Sequence, residues 1–489
     1  MESEARMFVA EGRIGWSASD VSAAAECEYA LLRQLDYRLG RATPIDARED
    51  PLLEHIARLG DRHEAEVLAQ MERHSPVIRL SHASPPLTHE SRTEAAATTL
   101  EVLRDAGGAG DVVVYQAAFY DGEFFGYADF LERTPDGWRV CDAKLAREAK
   151  PHALLQLGGY AAQLEGLGLR VAPTVSLLLG DGRRENFRTS DVVPVFRERE
   201  AALRTLLTTH LDGGTPLAWG DDGGAVACGR CAECEHAATL ANDLVLVAGM
   251  RMDQRRKLRA AGIVTLEDLA GAARRPDGMA RAVFEKLRAQ AQLQWRQLSG
   301  GEGAPVEYEL VEAAPATLAL LPAPSAGDLF FDFEGDPIYH ESDPTRIGLE
   351  YLWGMMDPAG TYRALWAHSR AGERLAFRQF MGLVAERRAA YPDMHIYHYA
   401  AYEVSALKRI AMRYQLLEKE LDDLLRSEVF VDLYATVRGS VRVSAPSYSI
   451  KKLEPLYMGE HLRSDGEGAV AEGADSVVAY HEFREMRGR

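Results

Sequence analysis

Little in this chain would carry it into or across a membrane. No stretch of its 489 residues approaches the run of about 20 apolar residues that a bilayer span requires. The opening residues, MESEARMFVAEGRIGW, lack a basic start followed by an apolar core, so no secretory leader is expected. Those two absences make the expectation a cytoplasmic protein with no membrane partner. Cysteine is scarce, at five residues, and three of them crowd into one C-x-x-C-x-x-C run. That is no disulfide framework; it suits metal ligation in a reducing compartment. Positive charge is in deficit too, with 56 Lys and Arg against 74 Asp and Glu and a net charge of −18. The deficit argues against a tight, sequence-specific grip on a polyanion, although a local cationic patch can still steer one. No G-x-x-x-x-G-K-[S/T] loop occurs, so no ATPase motor is expected.

What is present is the composition of an ordinary globular protein, 47% hydrophobic and 27% charged, long enough for two or three domains. Residues 18–38 read as one helix, with Ser17 or Ser19 as its cap and Cys27 inside it. A helical stretch at 93–107 precedes three runs of strand character, DVVVYQAAF, EFFGYADFLER and WRVCDAKLA, punctuated by Asp-Gly and Pro-Asp-Gly turn signals. A helix at 151–166 and a strand-like VAPTVSLLLG follow. The expectation is a multidomain α/β protein: a domain over 1–240, an Arg-rich helical module over 241–298, a Gly-, Ala- and Pro-rich linker over 299–326, and a second α/β domain over 327–489.

The chemistry concentrates on the second and third strand runs. Residues two apart on a strand share a face, so Asp142 and Lys144 project together while Ala143 points away, and Asp129 can sit on the strand beside them. Two carboxylates that close repel each other unless a hard cation such as Mg²⁺ or Mn²⁺ neutralises them. Such an ion polarises a phosphodiester and acidifies water, and Lys144 would stabilise the developing negative charge. For Asp-x-Lys alone, a solvated pair on a surface strand is the better account, because the motif is short. Its surroundings change that reading. Gln156 and Tyr160, four apart on the next helix, share a face, and His63 in RLGDRHEAEVL can offer a nitrogen to the same ion.

Taken in order, His63, Gly126 to Asp129, Asp142 to Lys144 and Gln156 to Tyr160 make a pattern that resembles the RecB-like branch of the PD-(D/E)XK nuclease superfamily. The likeness covers roughly residues 15–240. It implies a restriction-endonuclease-like α/β core and metal-dependent DNA cleavage, with Asp129, Asp142 and His63 as metal ligands and Lys144 as the catalytic lysine. Cys27 ahead of that core and Cys228, Cys231 and Cys234 behind it resemble the members of the same branch that carry a [4Fe–4S] cluster. The last spacing is tighter than the family's. Structural Zn²⁺ is the competing occupant, with His236 available for a Cys₃His site. Cys141 reads as a buried core residue.

The stretch VAGMRMDQRRKLRAAGIVTLEDLAG resembles a helix-hairpin-helix module, with Thr265 and Asp268 as a capping box and only Gly249 of the usual hairpin glycines. It makes Arg251, Arg255, Arg256, Lys257 and Arg259 candidate phosphate contacts; a solvated basic helix is the alternative. In LFFDFEGDP, Asp332 and Glu334 share a strand face, and Glu403 follows HYAAY. With FVDLYATVRGSV and YSIKKLEPLY these resemble a ribonuclease H-like domain of the DEDD exonuclease type, similar to the YprB-like group. The family's last acidic residue has no clear counterpart before the closing MRGR, and Asp432 reads as a residue of the fold. Two-metal cleavage needs a full carboxylate set, so this second site is expected to be incomplete. The expectation is a Mg²⁺- or Mn²⁺-dependent DNase of repair, recombination or defence, acting on single-stranded DNA or DNA ends, with a separate helicase as a possible partner. Its rivals are a ribonuclease H-like 3′–5′ exonuclease and a non-catalytic DNA-binding adaptor.

Overall fold

A computed structural model describes residues 7–10, 12–45, 51–81, 88–106, 110–220, 224–301, 303–337, 339, 348–458 and 473–488. The chain divides into two compact units, Met1–Leu240 and Ala241–Arg489. The architecture is mixed α/β in both, as expected. Among the described residues no helix is long and apolar enough to cross a membrane.

The first unit opens on a hairpin, β1 (Phe8–Ala10) and β2 (Arg13–Gly15), and then α1 (Ala18–Glu26) and α2 (Glu28–Arg38). The single helix expected over 18–38 is two. The break falls at Cys27, whose extended backbone (φ −160°, ψ 98°) frees its sulfur to accept the Ala30 N–H and so cap α2. Ser17, with Asp20, forms the reciprocal box that starts α1. Next come α3 (Pro51–Glu72), β3 (Val77–Arg79) and α4 (His89–Asp105). The three strand runs form an antiparallel meander of β4 (Val113–Tyr120), β5 (Phe125–Thr134) and β6 (Gly137–Lys144). After α5 (Pro151–Gly166), β7 (Thr174–Leu179) returns parallel to β6. The unit ends with β8 (Arg184–Arg188), α6 (Thr189–Gly213) and α7 (Ala232–Leu240). Strand order in the sheet is β3-β4-β5-β6-β7-β8.

Both faces of that sheet are buried. Val67 and Leu68 of α3 pack on Val113, Phe130 and Cys141. A larger core on the other side joins Ala117, Val140 and Leu177 to Leu157, Leu164 and Phe196 of α5 and α6. Cys141 therefore points into the α3 layer, away from Asp142, as strand alternation requires.

The second unit begins with α8 (Met252–Ala260), α9 (Leu266–Gly271) and α10 (Arg281–Ser299), gathered around Leu258, Leu266, Leu269 and Phe284. Thr265 and Asp268 form the expected capping box. Within 299–326, expected as a linker, lie β9 (Tyr308–Leu310) and α11 (Ala314–Leu318). A five-stranded sheet follows, built from β10 (Leu329–Asp336), β11 (Leu349–Met356), β12 (Tyr362–Trp366), β13 (Ile396–His398) and β14 (Phe430–Asp432), in the order β12-β11-β10-β13-β14. Its helices are α12 (Arg370–Ala390), α13 (Tyr402–Tyr414), α14 (Glu418–Arg426) and α15 (Leu433–Ser440), and then come β15 (Val441–Val443), α16 (Ile450–Leu453) and α17 (Gly473–Gly488). β9 pairs antiparallel with β15, and Gln290 of α10 donates to the Val443 carbonyl at 2.8 Å. Gly- and Pro-rich composition marked the stretch as loose, but its Tyr-Glu-Leu segment supplies the backbone groups that β15 needs to pair.

In β10, Leu329, Phe331 and Phe333 pack with Trp353, Phe377 and Phe380, leaving Phe330, Asp332 and Glu334 on the opposite face. α17 packs by stacking Tyr480 on Tyr351, with ring centroids 3.8 Å apart.

Candidate functional site

The first carboxylate group forms where a ladder stops. β5 and β6 pair from Thr134 and Gly137 up to Phe130 and Cys141, and the next pair would be Asp129 and Asp142. In place of that pairing, the Asp129 side chain accepts the Ala143 N–H at Oδ2, 3.0 Å away. Lys144 Nζ stands 3.1 Å from Asp142 Oδ2. Asp142 is 3% exposed, so the ion pair is shielded from water on its carboxylate side. Burial and the neighbouring Asp142 charge hold the Asp129 carboxyl well above the usual carboxylate range, against the pull of Lys144. The structure thus brings Asp129, Asp142 and Lys144 together.

Tyr160 closes over them from α5, among the rings of Phe119 and Phe124. Burial, then the charges of Asp129 and Asp142, push its phenol up, so it stays neutral. A Cβ at position 126 would lie 2.8 Å from the Tyr160 hydroxyl, which explains the glycine three residues before Asp129. Gln156, expected beside Tyr160, instead reaches α1, its Nε2 lying 3.4 Å from Ser19 Oγ. His63 is half-buried, and its Nε2 lies 3.0 Å from the Leu178 carbonyl on β7; that ring nitrogen is turned to the backbone, away from the ligand role expected of it. The next residue, Glu64, was not singled out by the motif. Its Oε1 accepts from Tyr115 Oη at 2.9 Å and Gln116 Nε2 at 2.7 Å, and its charge adds to the rise at Asp129. Adjacent helix residues point about 100° apart, so His63 meets β7 while Glu64 meets β4.

The four cysteines do meet. Cys27 Sγ lies 3.6 Å from Cys234 and 3.8 Å from Cys231, and Cys228 lies 3.9 Å from Cys234. Side-chain bonds join the same segments: the Glu28 carboxylate accepts the Val226 N–H, and the Tyr37 hydroxyl of α2 donates to Glu233 of α7. The Cys234 thiol and the Cys228 and Ala30 N–H groups draw the Cys27 thiol down to about 4, against burial. Among the described residues these thiols are the one set of three or more His, Cys, Asp or Glu donors gathered closely enough to hold an ion. With metal–sulfur bonds of about 2.3 Å, a tetrahedron about one ion has sulfur–sulfur edges of about 3.8 Å. The observed separations fit that. A cubane places each thiolate on a different iron, so the sulfurs as they stand are too close for the [4Fe–4S] cluster that the resemblance implies.

The Arg-rich module needs a correction. Arg255 is 2% exposed and grips Asp243 with two bonds of 2.7 Å, and Arg259 lies 3.5 Å from the same carboxylate. Asp243 also accepts the Val245 N–H. Four residues apart, the two arginines share an inward face, so they tie the module together rather than offer themselves to phosphate. Arg251, Arg256 and Lys257 are exposed. In the 247–250 turn, the Ala248 N–H is taken by Gln294.

The second carboxylate group lies on β10 and α13. Burial, with the charges of Glu403 and Glu334, raises Asp332 to about 6, although the Phe333 N–H opposes the shift. Glu403 is buried, with His398 Nδ1 3.3 Å away; the same nitrogen stands 2.6 Å from the Ala400 carbonyl. Burial works against the imidazolium there, but Glu403 and that carbonyl hold His398 above its ordinary value. Ala400 has φ 70°, and its N–H donates to Asp432, which also caps α15. α17 brings His481 to within 2.8 Å of Asp336. Neither residue was singled out from sequence, because their pairing spans the sheet and the last helix.

Residues 329–488 match the RNase_H_2 family model of the RNase_H superfamily. No curated protein matches the chain, and no solved structure does. The match runs from β10 to α17 and takes in Asp332, Glu334, Glu403 and His481. The second unit therefore carries a ribonuclease H-like domain, a class associated with nuclease-type functions that commonly use divalent metals.

Proposed function

We propose that the chain is a divalent-metal-dependent DNA nuclease whose cutting site is Asp129, Asp142 and Lys144. The observation that carries this is their convergence at the broken end of the β5–β6 ladder, beneath Tyr160. A buried and a half-buried carboxylate beside one ammonium fit Mg²⁺ or Mn²⁺, which binds through one or two protein carboxylates and fills its shell with water and phosphate oxygens. When bound, the ion supplies the positive charge that polarises the phosphodiester and activates water. Asp129 and Asp142 would hold it, and Lys144, kept in place by Asp142, stabilises negative charge developing on the phosphate. Tyr160 stays protonated and excludes water from one side. The thiol centre braces the unit by fastening α2 to α7, as a single tetrahedral ion would. Arg251, Arg256 and Lys257 are the exposed cations left to meet phosphate. Single-stranded DNA or DNA ends as substrate, a helicase as partner, a cytoplasmic setting and a role in repair, recombination or defence rest on the family resemblance.

A second reading is favoured by the ribonuclease H-like match and the Asp332, Glu334 and Glu403 group: a 3′–5′ exonuclease acting from the second unit. Digestion of labelled single- and double-stranded DNA and RNA with Mg²⁺ or Mn²⁺ separates the two. The first reading expects Lys144→Ala to abolish cleavage and Asp332→Asn to leave it; the reverse pattern would transfer the activity to the second unit. If neither change matters, the chain is a non-catalytic binder.

A further inference from the structure

The four thiols take no part in cutting, and their spacing departs from the cluster-bearing proteins that the cysteine order resembles. Cys27 Sγ stands 3.6 Å from Cys234 and 3.8 Å from Cys231, and all four sulfurs lie within 4.8 Å of one another. Even at that upper bound of 4.8 Å, a tetrahedron of sulfurs leaves about 2.9 Å from its centre to each corner. That is room for one ion and none for four irons with their sulfides. His236, two residues after Cys234, is exposed and stands outside the group. The donor set is therefore four sulfurs, which leaves a tetrahedral ion no open position for water or substrate.

Four thiolates carry more negative charge than one divalent ion offsets, and the backbone answers the excess. Cys27 is the N-cap of α2, and the Cys231 carbonyl accepts the first bond of α7, from the Glu235 N–H at 2.9 Å. Both residues thus stand at the positive ends of helices, where a thiolate is favoured. The Ala30 and Cys228 N–H groups donate to Cys27 Sγ, each at 3.4 Å. Gly229, at φ 72°, turns its N–H toward Cys234, and the Cys234 N–H turns toward Cys231. A residue with a side chain would adopt that left-handed turn only at a cost. A borderline-soft ion without a d-electron geometry of its own accepts four thiolates at these distances, whereas Mg²⁺ and Mn²⁺ seek oxygen. We propose that Cys27, Cys228, Cys231 and Cys234 hold one Zn²⁺ in a closed structural site, and that no iron–sulfur cluster occupies it. The site stands whichever unit cuts nucleic acid.

The test uses the full chain, produced with both iron and zinc supplied and purified without oxygen. One zinc per chain is expected, with no acid-labile sulfide and no broad visible absorption. After a chelator strips the metal under reducing conditions, Co²⁺ serves as the probe. One equivalent should give the intense visible bands of a tetrahedral four-thiolate ion, and Zn²⁺ should displace it one for one. Cys27→Ser and Cys231→Ser should each move those bands to a three-thiolate spectrum and weaken Zn²⁺ binding at least about tenfold. Cys231 is half-buried where Cys27 is buried, so its variant still reads the ligand set should Cys27→Ser unfold. His236→Ala should leave both spectrum and affinity unchanged. Iron with acid-labile sulfide in the protein as purified overturns the proposal. So does a Co²⁺ spectrum that both serine variants leave as it was, or loss of the ion from His236→Ala while Cys27→Ser retains it.

Discussion

The two units each gather carboxylates on a sheet, but different groups surround them. In the first, the Asp142 carboxylate already has an ammonium 3.1 Å away. In the second, the charges beside Asp332 are those of other carboxylates, and the His398 imidazole lies 3.3 Å from Glu403. Each group also sits beside a non-glycine residue in the left-handed region: Gln116 opposite Asp129, and Ala400 just ahead of Glu403. The difference teaches what each site needs. Lys144 offsets charge at the first. In the second, burial and the neighbouring Glu403 and Glu334 charges lift Asp332 to about 6.

The largest expected effect breaks or upholds this contrast. Lys144→Ala should lower DNA cleavage on the order of 10²–10³-fold, the cost of losing one charge-stabilising group, and Asp332→Asn should leave the rate near wild type. Equal losses from both would mean that the units do not work apart. Next comes Asp243→Asn, which leaves Arg255 buried without its charge partner and should cost the second unit about 3 kcal/mol. Hydrogen exchange read separately over 1–240 and 241–489 would show the loss confined to the latter, with cleavage retained. Cys27→Ser is its mirror image. Removing one of four thiolates should empty the centre and lower the melting temperature by about 5–10 °C, with faster exchange in α2 and α7. Elemental analysis of the wild type also decides the occupant: one zinc per chain agrees with the sulfur spacing, and iron with acid-labile sulfide contradicts it. The smallest effect is Ala400→Gly. Relief of φ 70° should stabilise the second unit by about 0.5 kcal/mol, measured as a small upward shift in its denaturant midpoint.

The meander was legible because its turn signals and alternation are local, and the carboxylates of β5 and β6 could be aligned by counting residues in twos. The chemistry of β10 was legible for the same reason. Counting also had a limit. It placed Cys27 inside a helix, because nothing in Glu26-Cys27-Glu28 announces a break; the sulfur's bonds to the Ala30 and Cys228 N–H groups, the latter two hundred residues away in sequence, make that break worth its lost helical bonds. It grouped Arg251 and four cations of α8 as one patch, although Arg255 and Arg259 face inward.

By itself, then, the order of residues determined which segments become strands and helices and which side chains share a strand face, since both follow from periods of a few residues. Only the folded packing decided that Gln116 takes a left-handed turn, that Glu64 meets Tyr115 and Gln116, that Asp243 draws two arginines inward, and that four sulfurs stand an ion's width apart. Those outcomes depend on contacts between distant segments, where one misdirected turn of a helix or one reversed strand residue changes which group meets which.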